Sequence, residues 1–320
     1  MPDLLLDSAM LVGGLALLTY AADRFVVGAT RLSRLLRVSP VLVGAIVIGF
    51  GTSAPEFVVT ILATLQGAQD LAFGNVVGSN TANVLLVLGT AGLVRPVLVQ
   101  TRTVLRELPL MLLSIGLLAL ATFNRRVTTA DALLLVVSAL LVIGYMVRMA
   151  LADRESAAEL EAEVAEYEGQ DGPRLLPTLL LTALGLVGTL AGAQLLVEGA
   201  TGVARVIGLS EAVIGLTVVA VGTSLPELVT AVAAARRDET ELIVGNVLGS
   251  NIFNSLPVAG VAGLLDTVPL DQAFVPSLVA MVGGCLFAAL FLRTGHRLAR
   301  WEAAILLLLF VVATVVTVAS

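Results

Sequence analysis

The chain contains no lysine, one histidine and one cysteine, and only 13% of its 320 residues are charged. The lone cysteine, Cys285, excludes a disulfide bond within the chain. Because 58% of the residues are hydrophobic and the mean hydropathy is +1.01, the chain has too little polar surface for a soluble globule of this length. These shortages predict an integral membrane protein that is surrounded by a lipid bilayer and has no nucleic-acid partner.

The apolar runs are about 20 residues long, which is the length of a transmembrane helix, and they lack the alternating polarity of barrel strands. Arginine, glycine, proline and acidic residues separate ten candidate spans, at about 8–28, 40–66, 71–94, 103–122, 128–150, 175–200, 210–235, 241–265, 273–293 and 302–319. We therefore predict an all-α integral membrane protein with about ten transmembrane helices.

The arginines are distributed unevenly between the two ends of these spans. All of them except Arg125, Arg126 and Arg205 fall after the first, third, fifth, seventh and ninth spans. Since basic residues in short loops favour the cytoplasm, both termini are expected outside the cell (inner) membrane. The acidic segment 151–174, which follows the fifth span, is then expected to be a cytoplasmic loop.

The chain repeats itself at an offset of 171 residues without a gap. The shared positions include Gly51-Thr52-Ser53 with Gly222-Thr223-Ser224, Pro55-Glu56 with Pro226-Glu227, Gly74-Asn75 with Gly245-Asn246, Gly78-Ser79-Asn80 with Gly249-Ser250-Asn251, and Asn83 with Asn254. Each copy contains five spans, so the second copy enters the membrane from the opposite side. We predict two inverted five-helix repeats, at 1–150 and 175–320, with a binding site near the midplane where they meet.

Each repeat places a glutamate, Glu56 or Glu227, deep within an apolar segment. A charged side chain at this depth costs roughly 2.5–3.5 kcal/mol on insertion scales, so a compensating cation is expected. Pro55 and Pro226 lack a backbone N–H and should kink or unwind their helices, which frees carbonyl groups beside the glutamates. The alternative is a protonated carboxyl group that is hydrogen-bonded between helices and binds no ion.

Hydroxyl and amide side chains accompany both glutamates, and the two motifs contain neither Cys nor His. Hard cations such as calcium take about 6–8 oxygen ligands, so the cluster predicts an oxygen-lined cation site. Its candidate members are Thr52, Ser53, Glu56, Ser79, Asn83, Thr223, Ser224, Glu227, Ser250 and Asn254. For Asn83 and Asn254, hydrogen bonding between helices is the alternative role.

Together the paired motifs resemble the alpha repeats of the sodium/calcium exchanger family of cation antiporters. The resemblance implies that Glu56 and Glu227 are central ligands, that Thr52 and Thr223 offer backbone carbonyls to calcium, and that Asn83 and Asn254 lie at the centre. It also implies that four serines line flanking sodium sites, namely Ser53, Ser79, Ser224 and Ser250. Some members of the family carry an aspartate where this chain has Asn254, and the site here therefore has two carboxylates.

The predicted function is secondary antiport of Na⁺ against Ca²⁺ by alternating access, with both ions as transported substrates and no cofactor. A proton/calcium antiporter is the nearest alternative, but such proteins carry an acidic residue shortly after Gly-Asn, where this chain has Val76-Val77 and Val247-Leu248. A cation channel with the same oxygen cluster is a further alternative. No Ser/His or Asp/Asp pairing occurs in the midmembrane segments, so the sequence does not predict an enzyme.

Overall fold

The computed structural model describes residues 2–164, 174–207, 222–266, 270–271 and 274–319, and it is almost entirely helical there. The first half contains α1 (Pro2–Leu36), α2 (Pro40–Val43), α3 (Phe50–Thr52), α4 (Ala54–Leu65), α5 (Gln69–Thr81), α6 (Leu88–Val94), α7 (Thr101–Leu105), α8 (Glu107–Thr122) and α9 (Thr129–Val164). The second half contains α10 (Leu175–Val206), α11 (Leu225–Arg236), α12 (Thr240–Phe253), α13 (Ala259–Leu265), α14 (Phe274–Arg293) and α15 (Arg300–Ala319).

In the described part of the chain, three π-helical turns interrupt these helices: π1 (Gly44–Gly49), π2 (Ala82–Val87) and π3 (Asn254–Val258). The turn π1 joins α2 to α3, π2 joins α5 to α6, and π3 joins α12 to α13. Two short strands, β1 (Val97–Leu98) and β2 (Arg297–Leu298), pair antiparallel and tie the end of the third span to the start of the last.

Eight helices within the described residues are long and apolar enough to cross a membrane, and the bent pair Pro40–Thr52 and Ala54–Leu65 makes a ninth span. The one remaining predicted span, the seventh at 210–235, begins outside the described residues, and its described part contains α11. The predicted all-α membrane fold of about ten helices is thereby confirmed.

The long helices α1 and α10 run antiparallel and touch through glycines. Gly14 faces the backbone of Leu196, and its counterpart in the other repeat, Gly185, faces the backbone of Phe25, the counterpart of Leu196. The next contact, between Gly28 and Thr182, is likewise repeated by Gly199 and Leu11. Replacing each residue by its counterpart 171 positions away converts one contact into the other. This is the pattern of two inverted copies related by a twofold axis.

The spans that carry the Gly-Asn motifs form the centre of the molecule. In the most apolar windows of Gln69–Val94 and Thr240–Leu265, 72% and 78% of the residues are buried, compared with 17% in Leu4–Leu36. Gly245 and Gly249 lie against the backbone of Gly44 and Ala45, whereas a Cβ atom at their counterparts Gly74 and Gly78 would meet no described atom within 4 Å. Small residues allow this close helix approach in the second copy.

One ion pair joins α1 to the turn after α11. Arg237 donates two hydrogen bonds to Asp23, from Nε to Oδ1 at 2.6 Å and from NH2 to Oδ2 at 2.7 Å. The hydrogen bonds to Asp23 raise the pKa of Arg237 above its ordinary value. Such a two-pronged contact fixes geometry as well as charge.

The fifth span differs from its prediction because α9 continues through Val164, well into the segment predicted to be a loop. This extension, 151–164, is rich in alanine, glutamate and leucine, which are strong helix formers. The remainder of the predicted acidic loop, 165–173, lies outside the described residues.

Candidate cation site

The two Gly-Thr-Ser-x-Pro-Glu motifs break their helices at the serine. Ser53 has φ −82° and ψ 9°, and its counterpart Ser224 has φ −89° and ψ 6°. In the first repeat the helix axis bends by 43° there, which confirms the expected kink. A proline follows each break in the first turn of a new helix, a position where its missing N–H is tolerated.

Each new helix carries its glutamate in the first turn, directed into the protein. Glu56 and Glu227 are each 1% exposed. Both carboxyl oxygens of Glu56 and Oε2 of Glu227 have no hydrogen-bond partner among the described residues. Buried acceptors normally have partners, so these oxygens are suited to a ligand.

The helix break of the first repeat is hydrogen-bonded to the glutamate of the second repeat. The Ser53 hydroxyl donates to Oε1 of Glu227 at 3.0 Å. Next to it, the Thr52 hydroxyl donates to its own helix, at the Ile48 carbonyl 2.9 Å away, and lies 3.4 Å from Oδ1 of Asn246. Polar groups of the two repeats therefore interlock at this point.

Ser250 gives a second link between the halves, since its hydroxyl donates to the carbonyl of Gly49 at 3.1 Å. Its counterpart Ser79 is buried on α5, one turn before Asn83. Ser224 is buried and its hydroxyl has no partner among the described residues, whereas Thr223 is half-buried beside it.

The two central asparagines lie in π-helical turns. Asn83 is in π2, and Asn254 begins π3. Wide turns of this kind occur frequently at functional sites. The Asn83 amide donates to Oδ1 of Asn251 at 3.3 Å, while its own Oδ1 and both polar atoms of Asn254 have no partner in the described structure.

Sequence reasoning left out a second pair of asparagines. The Asn75 side-chain amide donates to the main-chain carbonyl of Glu56 at 3.2 Å, and its counterpart Asn246 donates to the main-chain carbonyl of Glu227 at 3.4 Å. Asn75 also donates to the Thr60 hydroxyl at 3.0 Å. The recurrence of both asparagines at the 171-residue offset could have marked them as site residues in the sequence.

Other groups around the site were also missed. Asn80 donates to Ser255 at 2.9 Å, and Thr230, one turn beyond Glu227, is buried with an unpartnered hydroxyl within the described residues. The ring centroids of Phe253 and Phe50 lie 4.8 Å apart with the rings tilted by 34°, which places an aromatic contact between the halves beside Asn254. Neither Ser255 nor Thr230 has a matching residue in the other repeat, so the repeat gave no signal for them.

The arrangement presents carboxyl, amide and hydroxyl oxygens in a buried space between two inverted halves. Within the described ranges no three His, Cys, Asp or Glu side chains form a group, which leaves the two glutamates as the acidic centre. Oxygen ligands with two formal charges suit a hard cation. A site of this kind at the contact of inverted repeats is the design of a secondary transporter.

The comparisons with known proteins agree with this class. The family model described as "Sodium/calcium exchanger protein" matches residues 7–152 and 177–319. The chain is 37% identical to "Putative antiporter CaxA" of Alkalimonas amylolytica, with 96% of this chain and 97% of that protein covered. It is 32% identical to "Sodium/calcium exchanger MaX1" of Methanosarcina acetivorans, with 96% and 97% covered.

The fold matches a solved structure of the sodium-calcium exchanger NCX_Mj with a TM-score of 0.84 at 29% identity, covering 99% of both chains. The chain belongs to the sodium/calcium exchanger family. It is a multi-pass membrane transporter, a cation/Ca²⁺ antiporter and not an enzyme, and its family gives no indication of a nucleic-acid partner.

Proposed function

We propose that the protein exchanges Na⁺ for Ca²⁺ by alternating access at the site between Glu56 and Glu227. The observation that carries the proposal is the set of buried, unpartnered oxygens on these two glutamates, one from each repeat. Carboxylates that are removed from water without a hydrogen bond are stabilised by a bound cation. The proposed ligand set adds Thr52, Ser53, Ser79, Asn83, Thr223, Ser224, Ser250 and Asn254.

The charge of the site favours this pair of ions. Two glutamates neutralise one Ca²⁺, and when the calcium leaves, the same carboxylates attract Na⁺ ions to the hydroxyl-rich positions beside Ser53 and Ser250. Because Ca²⁺ and Na⁺ then require the same two carboxylates, binding of one excludes the other. The uncharged amide of Asn254 limits the negative charge that the sodium ions have to balance.

Proton coupling receives less support. The positions after Asn75 and Asn246 carry valine and leucine, where proton/calcium antiporters are expected to carry an acidic residue. The test is radioactive calcium uptake into proteoliposomes of the purified protein. Uptake under an imposed Na⁺ gradient, without uptake under a matched proton gradient, is the expected outcome; the reverse result would reject sodium coupling.

We also propose that both termini lie outside the cell (inner) membrane, with the acidic segment 151–174 in the cytoplasm between repeats at 1–150 and 175–320. In a Cys285→Ser background, a membrane-impermeant maleimide should label Arg125→Cys in intact cells and Arg34→Cys after permeabilisation. The opposite order of labelling would invert the proposed topology.

A further inference from the structure

A pocket of about 430 Å³ lies at one end of the helix bundle, away from the cation site. Three arginines line it at the ends of three spans: Arg95 directly follows α6, Arg236 is the last residue of α11, and Arg300 is the first residue of α15. Val94 and Leu98 give the same pocket an apolar surface. Guanidinium groups, the Asp238 carboxylate and apolar side chains therefore share one concave site.

The pocket lies at the ends of membrane-spanning helices, where such helices are expected to meet the headgroup region. Trp301, next to Arg300, is 63% exposed and its ring meets Phe291 edge-on at 5.9 Å. Exposed tryptophans mark the membrane–water interface. Since α6, α11 and α15 each end or begin at this pocket, we expect its arginines to lie at the depth of lipid phosphates.

Two of the three guanidinium groups have no acidic partner within the described ranges. Arg95 is paired with Asp238. Arg300 donates to the main-chain carbonyl of Val94 at 3.5 Å, and neither Arg300 nor Arg236 has an acidic partner among the residues that the structure describes. The nearby carboxylate of Glu302 instead accepts a hydrogen bond from the backbone of Ala299 at 2.7 Å.

The repeat shows that these arginines are not required by the fold. At the 171-residue offset, Arg236 corresponds to Leu65, Arg300 to Thr129, and Arg95 to Asp266. The oxygen site is shared between the halves, whereas this basic pocket occurs in one copy and lies on one membrane face. The positive charge of this pocket is therefore not a product of the repeat that built the oxygen site.

We propose that this pocket binds the phosphate group of an anionic phospholipid, with Arg236 and Arg300 as the donors. Planar guanidinium groups bind phosphate oxygens with paired hydrogen bonds, and basic pockets between membrane helices take acidic headgroups. Val94 and Leu98, which are 39% and 60% exposed, offer contact to the glycerol and upper acyl chains. Free phosphate would bind the same guanidinium groups but makes no favourable contact with Val94 and Leu98. We therefore assign the pocket to a lipid.

The experiment measures how many phosphatidylglycerol and phosphatidylcholine molecules the purified protein retains, by native mass spectrometry after exchange from mixed vesicles. The wild type should retain phosphatidylglycerol preferentially, on the order of tenfold over phosphatidylcholine. The double variant Arg236→Gln, Arg300→Gln should lose this preference. Calcium uptake by the same preparations shows that the variant is folded.

The matched control is Arg31→Gln, Arg34→Gln, which removes the same charge from exposed residues of α1 outside the pocket. This control should retain phosphatidylglycerol like the wild type. Equal loss in both double variants, or retention in the pocket variant, would overturn the proposal and leave the arginines with a role in topology only. Displacement of the lipid by millimolar inorganic phosphate would instead assign the pocket to a free anion and overturn the lipid assignment.

Discussion

The Ser53 hydroxyl donates a hydrogen bond to Oε1 of Glu227 at 3.0 Å, from one repeat to the other. Its counterpart Ser224 has no partner among the described residues, and neither carboxyl oxygen of Glu56 has one. The sequence motifs are thus symmetric, but their hydrogen bonds are not. In this conformation one carboxyl oxygen of Glu227 accepts a hydrogen bond from the other repeat, whereas Glu56 accepts none from the described residues.

This asymmetry predicts different effects for two equivalent substitutions. Without cations, Ser53→Ala should lower thermal stability, because a hydrogen bond to a charged group contributes about 1.5–3 kcal/mol. Ser224→Ala should leave the thermal stability nearly unchanged, because the Ser224 hydroxyl has no hydrogen-bond partner among the described residues. Thermal unfolding in detergent, with and without Ca²⁺, measures both; equal destabilisation by the two variants would contradict the asymmetric site.

Loss of either buried carboxylate should abolish exchange. Glu56→Gln and Glu227→Gln keep the side-chain shape but leave one negative charge for a divalent ion, and calcium uptake should fall at least about a hundredfold. Glu198→Gln is the matched control, because this carboxylate is also on a membrane helix but is exposed and bonded to Gln194. Full exchange in either buried variant would exclude it from the site.

The asparagines behind the glutamates should act as positioning residues. Asn75→Asp retains the size of the side chain but cannot donate to the Glu56 carbonyl, and we expect a several-fold higher KM for Ca²⁺ with a folded protein. Asn246→Asp should act in the same way on Glu227. Asn124→Asp, in an exposed turn, is the control. An unchanged KM in both buried variants would show that these hydrogen bonds do not position the site.

The sequence alone predicted most of the membrane spans and the pair of buried glutamates, because both follow from patterns that can be read directly along the chain. Apolar run length determined the spans, and the 171-residue offset paired Glu56 with Glu227. The roles of Asn75 and Asn246 were not accessible, since each bonds to a main-chain carbonyl whose position depends on how α5 and α12 pack. The hydrogen bond from Ser53 to Glu227 likewise forms only when the two helix breaks lie side by side, and the hydrophobic pattern of the sequence does not predict that arrangement.

Two adjacent glycines allow a direct test of the α1–α10 contact. A Cβ atom at Gly14 would lie 2.5 Å from the backbone nitrogen of Leu196, whereas one at Gly13 would have no described atom within 4 Å. Gly14→Ala should therefore destabilise the protein by about 1–3 kcal/mol through overpacking. Gly13→Ala should be neutral or slightly stabilising, because alanine favours helix. Thermal unfolding of the two variants provides the comparison, and similar values would contradict the close packing.

The bond between Asp23 and Arg237 has no equivalent in the other repeat, where Gln194 and Gln66 occupy the matching positions. Two identical halves would make the outward-open and inward-open forms equal in energy. Under the proposed alternating-access mechanism, an ion pair between α1 and the turn after α11 would remove that degeneracy and favour the form in which the pair is made. We therefore predict that salt, which weakens this ion pair, shifts the distribution of the protein between its two forms.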